Sequence, residues 1–294
     1  MSQIILIPRI KVQNANMQTG GFILGGAPLM AAAMFCHNLA RQINTQDLGF
    51  ILIHHDRQIL GGQAYGRFTP AQRRGAVFIG KTDYSSKNKY ALSLQPTASC
   101  HLEVSLIIEF DRVRNEKKLV DLVQRSRFAG GQIISFEDVQ SCDSTEEALQ
   151  KVRNGFVVQD KKDLLQHYQR HYQVNRLQAL VQLLAQKPDN QLPGLENQKL
   201  EGEKMEAQKL SWLSATSLGY ALLEQPSETR TGVRQADKQD TTAHAYAEPL
   251  IGLVQYQSLR EFSRIEDSEQ LDSLYWRYGW PQPDVFLLQQ QAHL

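Results

Sequence analysis

Short apolar, β-branched runs alternate with amphipathic helical segments through the first 140 residues. The periodicity predicts the order strand, helix, strand, strand, helix, strand. The predicted segments are 4–12, 29–43, 48–55, 101–110, 116–128 and 132–136. This order is that of the ferredoxin-like βαββαβ unit, an architecture that RRM-type RNA-binding domains also use. We therefore predict an α+β fold with a ferredoxin-like (RRM-type) core in residues 1–140.

Prolines and glycines indicate where these elements bend or end. Pro8 lies inside the first predicted strand and has no amide hydrogen, which predicts an edge position or a bulge. Pro28 suits the start of the first helix because its fixed φ matches helical backbone. Gly130 is predicted to stop the second helix.

Residues 141–294 predict a C-terminal extension of mixed helices and strands. Its predicted elements are a strand at 155–158, a long amphipathic helix at 161–186 and a strand pair within 210–223. The polar segment 187–209 predicts an exposed linker. The segment 271–280 is rich in Tyr and Trp, and we expect most of these rings to be core, with about one in four on a contact surface.

The small net charge of +1 conceals an uneven distribution. Residues 1–100 contain ten Lys or Arg and three Asp or Glu, whereas residues 201–294 contain eight and fourteen. The cations are densest in residues 61–100, which overlap the long insertion 57–98 and also contain glycines and aromatic residues. Cations neutralise phosphates and aromatic rings stack on unpaired bases, so the insertion predicts a polyanion-binding segment. A solvated basic hairpin without a ligand is the alternative.

Composition excludes several classes of protein. Cys36, Cys100 and Cys142 are far apart and odd in number, which fits a reducing compartment and excludes a disulfide framework. No apolar run approaches the roughly 20 residues of a membrane-spanning helix. We therefore expect a cytoplasmic protein with no membrane partner.

Two patterns of chemical interest are weak. His167 and His171 are spaced for one face of a helix, but the residue after the first is Tyr168, where a zinc protease has glutamate. Residues 75–82 match the spacing of a phosphate-binding P-loop, but their apolar interior favours a strand and no helix follows. The sequence therefore predicts neither a metal site nor a cofactor.

Four blocks of sequence resemble a known family. They are Pro8–Asn16, His101–Leu106, Arg127–Ile133 and Gly155–Val158. The first is similar to the opening of the Csy-two family, the Cas-five-type subunit of type I-F CRISPR surveillance complexes within the RAMP superfamily. The second and fourth resemble the central and following strands of that family, and the third resembles its glycine-containing turn.

The resemblance implies a non-catalytic subunit in antiviral defence that holds the 5′ handle of CRISPR RNA at one end of a ribonucleoprotein. The implied partners are CRISPR RNA, the other Cascade or Csy subunits and, as a further candidate, target DNA. Amide side chains after the first strand suit base edges or 2′-hydroxyls. The residues assigned to RNA are Arg9, Lys11, Gln13, Asn14, Asn16, His37, Arg41, Arg67, Arg73, Arg74, Lys81, Arg125, Arg127, Phe128, Gly130 and Gly131.

Each assignment has a structural alternative. Asn14 and Asn16 are also typical of ordinary turns, and Arg125 and Arg127 suit the C-terminal end of a helix dipole. Three other functions remain open: a backbone subunit repeated along the guide RNA, an RNA-processing endoribonuclease, and a protein-only module that docks through the acidic C-terminal third. The nuclease would use His37, His54 or His55 as its general base.

Overall fold

The computed structural model describes residues 2–20, 23–64, 66–70, 72–74, 94–185, 211–228, 243–262, 265 and 267–290. Only the backbone is described for residues 64, 72–74, 94–97 and 268. The predicted linker 187–209 and the P-loop-like segment 75–82 lie outside the described residues. Within the described ranges, the chain has an α+β fold with a large antiparallel sheet and seven helices.

The elements follow one another along the chain with these bounds. The strands are β1 Gln3–Asn16, β2 Gln18–Gly20, β3 Ile23–Leu24, β4 Asp47–Ile59, β5 Gly61–Ala64, β6 Arg67–Pro70, β7 Gln72–Arg74, β8 Leu94–Phe110, β9 Arg127–Phe128, β10 Gly131–Ser135, β11 Gln140–Cys142, β12 Phe156–Asp160, β13 Leu213–Leu222, β14 Ala247–Ser258, β15 Trp276–Gln282 and β16 Val285–Gln290. The helices are α1 Leu29–Ile43, α2 Glu116–Arg125, α3 Thr145–Val152, α4 Lys162–Tyr172, α5 Arg176–Ala185, α6 Leu259–Phe262 and α7 Ser268–Asp272.

The first half of the chain contributes four neighbouring strands in the order β10, β1, β8, β4, all antiparallel. Apolar residues of these strands alternate in β fashion, so that Ile10 and Val12 face the core under α1 and α2. The opposite face is covered only in part. There Leu6, Ile51 and Ile107 share one apolar cluster with residues of α3, α6 and α7, whereas Lys11 and Gln13 of β1 are exposed.

Pro8 forms a bulge, which confirms one of the two expectations for it. The register between β1 and β8 shifts between Ile7 and Ile10. Arg9 has a φ of 53°, in the left-handed region that non-glycine residues rarely adopt. Its backbone amide leaves the ladder and donates to the hydroxyl of Ser105 at 2.9 Å. A proline in a central strand is therefore tolerated because a side chain replaces the ladder bond.

The second half of the chain closes a ring of strands on β4. The strand β4 pairs with β15 at Phe50–Trp276 and with β12 at Ile53–Val157. The strands β15, β16, β13, β14 and β12 then pair in succession. β4 therefore belongs both to this ring and to the four-stranded part of the sheet.

The aromatic segment is divided between core and surface, as expected. Tyr275 and Trp276 are 2% and 0% exposed, whereas Trp280 is 52% exposed. The indole Nε1–H of Trp276 donates to the carbonyl oxygen of Val158 at 2.9 Å, and this bond joins β15 to β12 inside the ring.

The second helix, the stop assigned to it and the strand pair at 210–223 differ from the prediction. The second helix ends at Arg125 rather than at residue 128, because Ser126 turns to extended backbone and Phe128 enters β9. Gly130 does not stop that helix but lies in the turn between β9 and β10. The segment 210–223 contains one strand, β13, whose partner β14 comes later in the chain.

The predicted helix at 161–186 is two helices. Gln173 adopts a left-handed backbone with φ 52° and ends α4. Asn175 and Gln178 then form a reciprocal capping pair, each side chain accepting from the backbone amide of the other. The apolar periodicity continues through the break, so it did not reveal the turn.

Candidate nucleic-acid interface

The end of β1 and the β9–β10 hairpin meet at a junction that contains most of the amide and glycine residues assigned to RNA. The backbone amide of Asn16 donates to the carbonyl oxygen of Ala129 at 2.8 Å. Asn14 and Ala129 both have left-handed backbone, with φ of 57° and 47°. The two segments are more than 100 residues apart in sequence, and the structure brings them together.

Glycine at 131 makes this close approach possible. A Cβ built on Gly131 would lie 2.7 Å from the backbone nitrogen of Ala15 and 2.7 Å from the carbonyl oxygen of Gln13. Gly130 has φ +74° and no atom within 4 Å of its position for a Cβ, so it needs glycine for conformation rather than for space. The exposed Arg127 donates to the carbonyl oxygen of Gly130 at 3.4 Å.

The junction borders a small cleft at the start of α1. The cleft has a volume of about 310 Å³ and is lined by Asn16, Thr19, Pro28, Met30 and Gly130, among others. The described first turn of α1 contains no acidic residue and Pro28 provides no side-chain cap. The cleft therefore has no negative charge from that turn to repel an anion.

The open sheet face is the part of the sheet that α3 leaves uncovered, formed by Lys11 and Gln13 of β1, His101 and Glu103 of β8, Asp56 and Gln58 of β4, and Ile134 of β10. Lys11 lies directly opposite Glu103, and Gln58 lies directly opposite His101. The face carries a shallow pocket of about 250 Å³. Ile134 is 58% exposed and gives this polar surface one apolar contact point.

The basic insertion leaves the sheet at this same end. Asn16 pairs with Ser99 of β8, and Ile59, the last residue of β4, pairs with Cys100. The amide of Leu60 donates to the carbonyl oxygen of Ser99 at 2.9 Å. The β5–β6 hairpin that follows carries Arg67, which is exposed.

Arg9 lies beside the open sheet face and is paired. Its guanidinium donates to Glu103 at 2.9 Å and also to the side-chain oxygen of Asn154. Glu103 neutralises the positive charge of the Arg9 guanidinium, which was predicted to contact RNA. Arg9 therefore acts first as a link between the bulge, β8 and the loop before β12.

Other assigned residues lie elsewhere. His37 is on α1, where its Nδ1 lies 3.0 Å from the hydroxyl of Tyr278 and 3.7 Å from Asp47. Arg41 is exposed near the far end of the same helix. Arg125 pairs with Asp121 on α2.

Among the remaining residues assigned to RNA, the structure describes the side chain of Phe128 but not those of Arg73, Arg74 and Lys81. Phe128 is fully buried and its ring contacts Phe35 edge-on, so this ring is core and does not face a ligand. Only the backbone is described for Arg73 and Arg74, and Lys81 lies outside the described residues.

The two adjacent histidines of β4 face opposite sides, as the strand period requires. His54 packs edge-on against Tyr256, and burial, followed by the charge of Arg57, lowers its pKa to about 4. His55 lies 2.7 Å from the hydroxyl of Ser105. Burial, followed by the charge of Arg9, also lowers the pKa of His55 to about 4. Both imidazoles are therefore neutral at pH 7.

Among the residues that the structure describes, the histidine pair on α4 is not part of a metal-binding group. The rings of His167 and His171 are nearly parallel with centroids 6.2 Å apart. No group of three or more His, Cys, Asp or Glu side chains suited to a metal ion occurs among the described residues.

Sequence reasoning missed Gln58, His101, Asn154 and Ile134. The alternation of β4 and β8 placed Gln58 and His101 on one side of their strands, but the register that sets them opposite each other is a tertiary feature. Asn154 reaches Arg9 across 145 positions of sequence. No local signal marks such a contact.

A family model described as CRISPR-associated protein (Cas_Csy2) matches residues 5–287. The chain belongs to the Cas_Csy2 family. The resemblance inferred from the four sequence blocks is thereby confirmed, and all four blocks fall inside the matched range. Membership makes the protein a CRISPR-associated subunit of a type I-F Csy complex. The comparison with curated proteins found no match.

Helices long and apolar enough to cross a bilayer are absent from the part of the chain that the structure describes.

Proposed function

We propose that this subunit binds CRISPR RNA without cleaving it, and that the RNA lies across the open sheet face and the junction. The observation that supports the proposal most strongly is the convergence of Gln13, Asn14 and Asn16 with the Gly130–Gly131 turn, in a member of a CRISPR-associated family. Amide side chains and exposed backbone suit base edges, 2′-hydroxyls and phosphates at close range. The family resemblance implies that the bound part of the guide is the 5′ handle.

The charge that attracts RNA is assigned mainly to the insertion. Lys11 on the open sheet face and Arg9 beside it are balanced by Asp56 and Glu103. The insertion 57–98 has an excess of cations and begins beside the junction. We assign phosphate neutralisation to its cations, including Arg67, Arg73, Arg74 and Lys81, together with Arg127.

The proposal also concerns the fold of the RNA-binding part. Strands β1, β4, β8 and β10 with helices α1 and α2 are proposed to form a ferredoxin-like, RRM-type unit of the RAMP superfamily. Two observations support this: the spatial order β10, β1, β8, β4, and the positions of α1 between β1 and β4 and of α2 between β8 and β10. The fold itself does not specify the ligand.

The absence of cleavage is proposed from the environment of the histidines. A general base works best when its pKa lies near the working pH, and the pKa of both His54 and His55 is lowered to about 4. His37 is hydrogen-bonded to Tyr278 on a different part of the surface. Incubation with repeat RNA is expected to leave the RNA intact. Cleavage that a His→Ala substitution abolishes would favour the nuclease instead.

The binding proposal is tested by salt titration with a labelled single-stranded RNA of the CRISPR repeat. The test variant is Lys11→Gln with Arg127→Gln, and the control is Arg114→Gln with Lys117→Gln, which removes the same charge from exposed positions at the opposite end of the sheet. For a single strand, each cation that no longer reaches a phosphate reduces the slope of log K against log salt by about 0.7. We expect a reduction of about 1.4 for the test variant and little change for the control. Equal effects of the two variants, or wild-type binding indifferent to salt, would contradict the proposal.

Copy number distinguishes the remaining alternatives. A subunit at the 5′ handle is expected once per guide RNA in native mass spectrometry of the purified complex. Several copies per guide would favour the repeated backbone subunit. Partner subunits without any RNA would favour the protein-only module.

A further inference from the structure

A second pocket lies beside the open sheet face and is joined to it by one ion pair. The pocket has a volume of about 360 Å³, and its lining includes Arg9, His55, Asn154, Phe156 and Arg260. Arg9 lines this pocket while its partner Glu103, 2.9 Å away, lines the pocket on the open sheet face. A strand that crosses the open sheet face therefore reaches this second pocket without leaving the surface.

A chain of hydrogen bonds leaves one donor in this pocket without a partner. The amide of Arg9 donates to the hydroxyl oxygen of Ser105, and Nε2 of His55 lies 2.7 Å from the same hydroxyl. We assign the Ser105 hydroxyl as the donor to Nε2, which places the proton of the neutral imidazole on Nδ1. That Nδ1 atom is buried and has no hydrogen-bond partner. A buried donor of this kind favours a ligand with an acceptor.

Glycine at 155 keeps space beside this donor. Gly155 has φ +134°, which side chains rarely adopt. A Cβ at this position would lie 2.9 Å from Nδ1 of His55 and 2.7 Å from a methyl carbon of Ile53. Any larger residue would therefore press on the histidine ring.

An aromatic pair extends from the pocket lining to the surface. The rings of Phe156 and Trp212 are stacked, with centroids 5.7 Å apart and planes 29° apart. Trp212 is 67% exposed, so the outer face of its ring is open to solvent. Its backbone has φ 64°, a conformation that an exposed Trp adopts at a cost.

We infer that this pocket, together with the outer face of Trp212, holds one unpaired nucleotide of the bound RNA. The base stacks on Trp212, an acceptor of the nucleotide receives the Nδ1–H of His55, and Arg260 at the rim lies near a neighbouring phosphate. This inference rests on the proposed RNA-binding function. It extends the RNA path from the open sheet face to β12 and to Trp212, just before β13.

The chemistry of the pocket favours a nucleotide over an acidic peptide. Glu103 already neutralises Arg9, which weakens the attraction for a bare carboxylate. Besides Arg260, the remaining groups are an uncharged imidazole donor, the amide of Asn154 and a flat aromatic surface. A base offers neutral acceptors and a π-face at once, and stacking of this kind tolerates any base.

The test uses the full chain and the single-stranded repeat RNA. The variant Trp212→Ala is compared with Trp280→Ala, since Trp280 is also exposed and also contacts aromatic neighbours, Tyr220 and Phe286. We expect Trp212→Ala to weaken binding by about 5- to 150-fold, the range that corresponds to the loss of stacking on one base. Trp280→Ala is expected to leave the affinity unchanged, and Trp212→Phe is expected to restore most of it.

A second measurement locates the nucleotide. RNA carrying 5-iodouridine is irradiated with the wild-type chain, and the crosslinked position is then replaced by an abasic nucleotide. For wild type, the abasic RNA is expected to bind more weakly than the intact RNA. For Trp212→Ala, the abasic RNA and the intact RNA are expected to bind with equal affinity. This disappearance of the abasic effect is specific to stacking and would not follow from misfolding.

The outcomes separate this inference from the proposed function. If the Lys11/Arg127 variant weakens RNA binding and Trp212→Ala behaves like Trp280→Ala, the nucleotide pocket is wrong and the proposed function stands. If Trp212→Ala keeps its RNA but loses a partner subunit on purification, the surface is a protein contact and the inference is overturned. If wild type shows no salt-dependent RNA binding, both fail.

Discussion

The backbone amide of Asn16 donates to the carbonyl oxygen of Ala129 at 2.8 Å, and this bond joins the β9–β10 turn to the end of β1, next to the pairing of β1 with β10. Beside it, Gly131 lies so close to the backbone of Gln13 and Ala15 that a Cβ would meet both at 2.7 Å. The junction therefore depends on the absence of a side chain at one position. Its shape follows from backbone contacts more than from the assigned polar side chains.

Gly131→Ala is expected to destabilise the protein and weaken RNA binding together. The added methyl group must push the hairpin away from β1, and overpacking of this kind costs about 1–3 kcal/mol. Urea denaturation measures the free energy of unfolding, and anisotropy with repeat RNA measures the affinity. Gly62→Ala is the control because no atom lies within 4 Å of its Cβ position. Equal stability of the two variants would contradict the close approach.

Trp276→Phe is expected to lower the free energy of unfolding by about 2–3 kcal/mol, because it removes a buried hydrogen bond and leaves a smaller ring in a packed site. Trp276 is fully buried and its indole donates to Val158, where Gln290 also donates at 3.3 Å. The second donor keeps the carbonyl of Val158 from being left unpaired. Urea denaturation of Trp280→Phe, at an exposed position, provides the comparison and is expected to show almost no change.

Stability is expected to fall as the pH is lowered from about 6.5 to about 4. The pKa of His54 is about 4 in the folded protein, against an ordinary value of 6.5, so the unfolded chain binds more protons in that interval. Below about pH 4 both states are protonated and this residue causes no further decrease in stability. The variant His54→Gln is expected to show a shallower decline in urea midpoint over the same interval. Parallel curves for variant and wild type would show that His54 is not the cause.

At the break between α4 and α5, two substitutions are expected to change the free energy of unfolding in opposite directions. Asn175→Ala removes the cap on the amide of Gln178 and is expected to cost about 1 kcal/mol. Gln173→Gly relieves a left-handed residue at the end of α4 and is expected to stabilise the protein by up to about 1 kcal/mol. Thermal unfolding of both variants checks the pair. Destabilisation by Gln173→Gly would contradict the assigned backbone conformation.

Much of the first half of the fold could be predicted from local pattern. The helix at 29–43 was correct to the residue, and the strands of the core were found, although β1 and β8 are longer than predicted. Alternation of apolar residues carries this information because one face of each strand is buried. The bulge at Pro8 was predictable for a separate reason, since proline cannot complete a ladder.

The rest depends on contacts that sequence patterns do not encode. Helix periodicity continued across Gln173, so the break was missed. Phe128 looked available for stacking but is core, because the helix before it ends three residues earlier than predicted. The nucleotide pocket joins a bulge in β1 to a loop before β12, and only the folded chain places Arg9 beside Asn154.

One strand takes part in both halves of this architecture. On one edge β4 pairs with β8, and on the other it pairs with β12 and β15, which the ribosome makes roughly a hundred and more than two hundred residues later. Until then, the growing chain presents a long, apolar, unpaired strand edge, the kind of surface that seeds aggregation. Co-translational folding of this sheet therefore cannot be complete before β15 has been made, and chains that end before β15 are expected to need a chaperone or to precipitate.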